Sequence, residues 1–184
     1  ARAWGEYNLN AGDAIVLTEM EHHSDIVPWQ MLAERIAVEL RFVPVEEGRL
    51  DMDALEVALE GAKLVCVVHT SNVLGVRNPV EEIIAMSKKV GARVLIDAAQ
   101  AVPHELIDFK ELGADFLAFS AHKMCGPTGI GALLISEDAF SEMEPFMGGG
   151  DMIETVTLEG STYQTNEHKF EAGTPRIAEG FGWA

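Results

Sequence analysis

The chain has 184 residues, 48% of them hydrophobic and 23% charged, a composition typical of one globular domain with a sizeable core. Its 13 basic and 30 acidic residues give a net charge of −17, which argues against nucleic acid and anionic membrane surfaces as partners, because both need basic patches. No apolar run approaches the length of a membrane span, and two cysteines cannot form a disulfide framework, so we expect a reducing compartment.

Strand-like and helix-like segments alternate along the chain. Short apolar runs bounded by turn residues predict strands. In chain order these runs are Ala14–Thr18, Leu40–Val43, Leu64–Val68, Val94–Asp97, Asp115–Ser120 and Ile130–Ile135. The segments between them predict helices over Ile26–Val38, Met52–Leu59 and Val80–Val90.

Helix-start residues precede all three helices. We expect Ser24 or Asp25 to cap the first helix, Asp51 the second and Asn78 the third, because short polar side chains accept hydrogen bonds from the free N–H groups of a first turn. A turn at Glu47-Gly48 separates the second strand from the second helix.

Strands separated by helix-length segments are typical of βαβ units, so the predicted fold is α/β with a mostly parallel sheet. The final strand is the exception. Its connection to Asp115–Ser120 is shorter than the dozen or so residues that a parallel crossover needs. We therefore expect Ile130–Ile135 to run antiparallel beside Asp115–Ser120 in the same sheet.

Polar side chains concentrate where the predicted strands end. Asp97 ends one strand and Gln100 follows it, while Ser120 ends another and is followed by His122 and Lys123. The other strands lead to Glu21-His22-His23 and to His69-Thr70-Ser71-Asn72. Each residue alone is explained as a cap, a turn or a solvated loop. Together they predict a ligand site, because the carboxyl ends of parallel strands meet at the edge where open α/β sheets bind ligands.

This residue set suits pyridoxal 5′-phosphate (PLP) chemistry. PLP needs a lysine amine that forms a Schiff base with its aldehyde and an acidic group that keeps its pyridine nitrogen protonated. Lys123 and Asp97 are the candidates for these two roles. The imidazole of His22 can stack on the ring, and Ser120 and His122 can donate to the phosphate.

The sequence does not match the motifs of a dinucleotide site, a phosphate loop or a metal site. A dinucleotide site needs G-x-G-x-x-G between a strand and a helix, whereas the glycines of GPTGIG, residues 126–131, precede a strand. The chain has no G-x-x-x-x-G-K-[ST] phosphate loop and no CxxC or HExxH spacing, so we expect no metal.

Six stretches carry a resemblance to a known family: MEHHSDIVPWQ (20–30), HTSNVLG (69–75), VLIDAAQAVPH (94–104), FSAHKMCGPTGIG (119–131), GGGDMI (148–153) and FEAGTP (170–175). They resemble the central part of a class-V aminotransferase-family enzyme, namely a cysteine desulfurase or selenocysteine lyase of the sulfur-mobilisation (SUF) type. The segment HKMCGPTGIG is most similar to plant and cyanobacterial members. The resemblance implies the large domain of a fold type I PLP-dependent transferase, with helices on both faces of the sheet.

The resemblance implies a role for each matching residue. Lys123 would bind the cofactor covalently and move protons at the substrate Cα, and Asp97 would pair with the pyridine nitrogen. His22, the second catalytic residue, would stack on the ring. The remaining cofactor-binding residues would be Gln100 at the phenolic oxygen, Ser120 and His122 at the phosphate, Asn72 beside cofactor and substrate, and Thr174 at the phosphate of a partner subunit.

The resemblance also implies partners. Sites shared between subunits imply a homodimer, and the implied substrate is L-cysteine or selenocysteine. The sulfur would pass to an acceptor protein for iron–sulfur cluster assembly, in the cytoplasm or, in a plant or alga, the plastid stroma.

Members of the family that the chain resembles have further parts that these residues do not include: an upstream phosphate-binding loop, a small domain, a loop cysteine that attacks the substrate sulfur and a carboxylate-binding arginine. We therefore expect residues 1–184 to form one domain, most of the large domain, with weak cofactor binding and little turnover alone. Cys125 and Cys66 are interpreted as structural.

Two alternatives stay open: a truncated, non-catalytic PLP-binding or interaction domain, and another class-V enzyme such as an aminotransferase, an epimerase or a kynureninase-like enzyme.

Overall fold

A computed structural model describes residues 1–184. Its strands are β1 (Ala14–Thr18), β2 (Glu39–Val43), β3 (Val45–Glu46), β4 (Arg49–Leu50), β5 (Ala62–Val68), β6 (Arg93–Asp97), β7 (Phe116–Ser120), β8 (Gly131–Ile135), β9 (Ile153–Val156) and β10 (Ser161–Tyr163). Its α-helices are α1 (Gly5–Asn8), α2 (His23–Ile36), α3 (Met52–Ala58), α4 (Val80–Lys89), α5 (Phe109–Leu112), α6 (Glu137–Ser141) and α7 (Ile177–Trp183). Ala121–Met124 and Glu167–Phe170 form short 3-10 helices.

The central sheet has six strands in the order β2-β1-β5-β6-β7-β8, so all six predicted strands belong to one sheet. Within this sheet, β2, β1, β5, β6 and β7 pair in parallel, each with the next in that order. Strand β8 pairs antiparallel with β7, with Ser120 opposite Gly131. The predicted α/β fold and the antiparallel last strand are thus confirmed.

The sheet buries a separate core on each face. On β1, Ile15 and Leu17 belong to the cluster on one face, whereas Val16 between them belongs to the cluster on the other, as the two-residue period of a strand requires. The first cluster includes Leu32 of α2, and the second includes Ile83 of α4. Helices therefore cover both faces, as predicted, and α2 lies on the face that carries Ile15.

Two predicted helix caps are wrong. Helix α2 begins at His23 because His22 is its N-cap and accepts a hydrogen bond from the Ser24 backbone N–H through Nδ1 at 3.1 Å, so Asp25 lies inside the first turn. Asn78 does not cap α4, because its buried amide donates to the carbonyl of Val68 at 2.7 Å. The Asp51 cap of α3 is confirmed by a 2.9 Å bond from the Ala54 N–H.

The predicted turn at Glu47-Gly48 is confirmed as the tip of the β3–β4 hairpin, where both residues have positive φ, 49° and 78°. The second hairpin, β9–β10, and the short helices α5 and α6 were not predicted. None of the helices combines the length and the apolar character that crossing a membrane requires.

Candidate cofactor site

A cavity of about 380 Å³ lies at the carboxyl ends of β6 and β7, beside the start of α2. Five sequence-predicted site residues line it, namely His22, Asp97, Ser120, His122 and Lys123. Strand periodicity explains part of this convergence. Leu95 and Asp97 are two residues apart on β6, as Ala118 and Ser120 are on β7, and all four contribute to the same wall.

Asp97 is the last residue of β6 and is held in a defined orientation. Its Oδ1 accepts a hydrogen bond from the Ala99 backbone N–H at 2.9 Å, and Oδ2 makes no hydrogen bond within the chain. The side chain is half-buried and faces the cavity. One carboxylate oxygen is therefore fixed by the turn after β6, and the other is available to a ligand.

Lys123 lies in a tight turn directly after β7. The 3-10 turn Ala121–Met124 is anchored by the fully buried Ala121, whose carbonyl accepts from the N–H of Cys125 and from that of Gly126 at 2.9 Å. Cys125 closes the turn with φ of 62°. Lys123 is thus half-buried on a short, hydrogen-bonded segment, and such a segment orients its amine better than a long loop would.

Close packing of β8 supports the same turn. A Cβ atom on Gly131 would lie 2.7 Å from the Phe119 carbonyl oxygen, so only glycine allows β8 to approach β7 next to Ser120.

His22 faces the cavity from the start of α2. Because its Nδ1 accepts from the Ser24 N–H, the neutral ring carries its proton on Nε2. Cap geometry therefore sets the orientation of the ring, although the side chain itself is exposed.

The other three predicted cofactor-binding residues are not among those that line the cavity. Gln100 is half-buried in the turn after β6, Asn72 is exposed in the turn after β5, and Thr174 is exposed near the C-terminal helix α7. Their assigned roles stay predictions.

Glu21 and Asp25 are buried beside this site, which the sequence did not predict. Burial raises the pKa of Asp25 to about 7, against the hydrogen bond from Trp29 that lowers it, and the charge of Asp97 adds to the rise. Burial and the Asp25 charge raise the pKa of Glu21 well above its usual value. Two acids flanking His22 after an apolar strand were visible in the sequence, but their burial was not.

The donor set fits PLP. Asp97 supplies a carboxylate for a ring nitrogen, Lys123 an amine for an aldehyde, and Ser120 and His122 supply O–H and N–H donors for an anion. The volume lies in the range of small-molecule sites. A second cavity of about 380 Å³, lined mainly by apolar residues such as Trp4 and Phe116, offers no comparable set.

The aminotransferase class-V family model matches residues 1–184. The chain belongs to this family. Among curated relatives of this class-V chain, a cysteine desulfurase of Haloferax volcanii is 50% identical over 186 residues, covering 100% of this chain and 44% of the relative. A probable cysteine desulfurase of Streptomyces coelicolor is 52% identical over 178 residues, covering 96% of this chain and 43% of the relative.

Solved structures agree with the class-V assignment. The cysteine desulfurase CsdA of Escherichia coli matches with a TM-score of 0.95 and 34% identity, over 99% of this chain and 46% of that one. The apo cysteine desulfurase of Thermococcus onnurineus NA1 matches with a TM-score of 0.93 and 46% identity, over 98% of this chain and 46% of that one. The chain therefore spans less than half the length of these relatives.

Proposed function

We propose that this class-V chain forms the PLP-binding part of a cysteine desulfurase, which removes sulfur from L-cysteine. The observation that carries the proposal is the convergence of Lys123, Asp97 and His22 on one cavity at the carboxyl ends of β6 and β7. Identity of about half the residues to cysteine desulfurases from Haloferax and Streptomyces supports the choice of reaction.

The lining residues suit the parts of the cofactor. Bound PLP supplies an electron-withdrawing ring that weakens bonds at the substrate Cα. The free oxygen of Asp97 holds the proton on the pyridine nitrogen, and the ring of His22 covers one face. Ser120 and His122 would donate to the phosphate, and Gln100 and Asn72 would bind the ring oxygen and the substrate.

Lys123 is assigned two tasks in this proposal. Its amine would hold the cofactor through the aldehyde, and it would carry the proton at the substrate Cα. Both tasks require the uncharged amine.

The partners are part of the proposal. Thr174 reaches the phosphate of a second subunit, so the active unit is a homodimer, and the removed sulfur passes to an acceptor protein for iron–sulfur cluster assembly in the cytoplasm. Selenocysteine is the alternative substrate.

Exchange of the substrate Cα proton tests the chemistry at Lys123. In deuterated buffer, the PLP-loaded protein is expected to exchange this proton of L-cysteine faster than free PLP does. In Lys123→Ala, the exchange rate is expected to fall to that of free PLP, because the group that carries the proton is absent. Proton NMR of the amino acid measures the exchange, with L-selenocysteine as a parallel substrate. Lys88→Ala, on the exposed surface of α4, is the control and should match the wild type. Equal rates in Lys123→Ala and the wild type contradict the assignment.

A further inference from the structure

Two buried carboxyls flank His22 and have no role in the proposed cofactor chemistry, although Asp25 lines the cavity. Glu21 and Asp25 are only 6% and 8% exposed. Oε1 of Glu21 accepts from the Thr18 hydroxyl at 2.6 Å and from the Val68 backbone N–H at 2.8 Å. Oδ1 of Asp25 accepts from the Trp29 indole N–H at 3.1 Å. The satisfied oxygens thus tie Glu21 to β5 and Asp25 to its own helix.

The second oxygen of each carboxyl is buried without a hydrogen-bond partner, namely Oε2 of Glu21 and Oδ2 of Asp25. The two side chains lie close enough for the charge of Asp25 to raise the pKa of Glu21. Two ionised carboxylates in this arrangement would repel each other and leave both oxygens desolvated, and buried polar groups rarely stay unpaired. One proton between them removes both problems, because one carboxyl then donates to the other.

We propose that Glu21 and Asp25 share one proton and that the resulting hydrogen bond positions His22 at the cavity. Glu21 is fixed to Val68 of β5, and Asp25 lies in the first turn of α2. A bond between them closes a short loop around His22, which lies in the connection. This pairing involves only residues of the chain itself and does not depend on the proposed reaction.

Other ionisable groups facing the pair do not replace the proton. The Cys66 thiol of β5 lies against Asp25, but a thiol is a weak donor, and burial raises its pKa. Asp97 of β6 adds negative charge and so favours protonation of Asp25. The amino group of Ala1 favours the ionised form, but it is a smaller influence on Asp25 than burial.

The pair makes stability depend on pH in a defined direction. Burial raises the pKa of Asp25 from 3.8 to about 7, so the folded state binds more protons than the unfolded state between these values. The pair's contribution is therefore fully present below about pH 4, and it is lost as the pH rises through 7. Burial and the Asp25 charge also raise the pKa of Glu21 well above its usual value, so Glu21 contributes a pH dependence in the same direction.

Asp25→Asn tests the shared proton. The asparagine amide can donate to Glu21 without taking up a proton, so the variant should lose the pH dependence that the pair causes. The measured quantity is the folding equilibrium constant of Asp25→Asn divided by that of the wild type. We expect this ratio to rise at least about tenfold from pH 5 to pH 9, because a pKa change of one unit or more in the wild type requires it. Denaturant unfolding measures it, with Glu21→Gln as the second variant and the exposed Asp53→Asn as the control. The proposal is overturned if the free energy of unfolding changes with pH in the same way for Asp25→Asn and the wild type.

A measurement on the wild type does not depend on a variant that folds. Carbon-13 NMR of the Asp25 and Glu21 carboxyl carbons should show one of them still protonated at pH 6. Two ionised carboxyls at pH 6 overturn the proposal.

Rescue by the conservative variant separates positioning from general stability. The Ser24–His22 hydrogen bond, read from the nitrogen-15 shift of His22 Nδ1, should persist in Asp25→Asn and be lost in Asp25→Ala. An unchanged shift in Asp25→Ala overturns the positioning role.

Discussion

Replacing Asp97 with asparagine is expected to weaken PLP binding by about 10- to 150-fold, because a charge-assisted hydrogen bond worth roughly 1.5–3 kcal/mol is lost at the pyridine nitrogen. Asparagine keeps the oxygen that accepts from the Ala99 N–H, so the turn after β6 should be retained. Titration of the protein with PLP, followed by visible absorbance, gives the two dissociation constants.

Asp138→Asn is the matched control for this substitution. Asp138 is exposed in the first turn of α6, and it does not line the cavity. The dissociation constant of Asp138→Asn for PLP should equal the wild-type value. Equal binding by Asp97→Asn and wild type would remove Asp97 from the site.

Leu117→Ala is expected to lower the free energy of unfolding by about 2–5 kcal/mol. Leu117 is 1% exposed in β7, within the core that packs against α4, and its truncation removes transfer free energy and leaves a cavity. Urea unfolding measures the loss.

Leu106→Ala provides a control with the same chemical change. Leu106 is fully exposed in the loop before α5 and should change the free energy of unfolding by no more than about 0.5 kcal/mol. Similar losses in the two variants would contradict the packing of β7 described above.

The sheet could be predicted from the sequence because its signals are local. Apolar runs separated by helix-length segments specify parallel strands, and the short connection before β8 excludes a parallel crossover. The same logic predicted that Asp97 and Ser120 lie together, since each ends a strand and strand ends of one sheet converge, and both line one cavity. The positions of these residues follow from strand order and period alone.

The features that the sequence did not predict depend on tertiary contacts. Asn78 has the side chain of a helix cap, but a free carbonyl at the end of β5 binds it instead. The burial of Glu21 and Asp25 results from α2 packing over β5, and polar residue types give no sign of it. The exposed strands β9 and β10 lack the clear apolar alternation by which strands are recognised.

Covalent trapping tests the central claim most directly. The protein is mixed with PLP, the bond between cofactor and lysine is reduced with borohydride, and the modified peptide is mapped by mass spectrometry. Preferential labelling of Lys123 is the expected result, because its turn places the amine at the cavity. Even labelling of the other lysines without preference for Lys123 would contradict the account; these lysines are Lys63, Lys88, Lys89, Lys110 and Lys169.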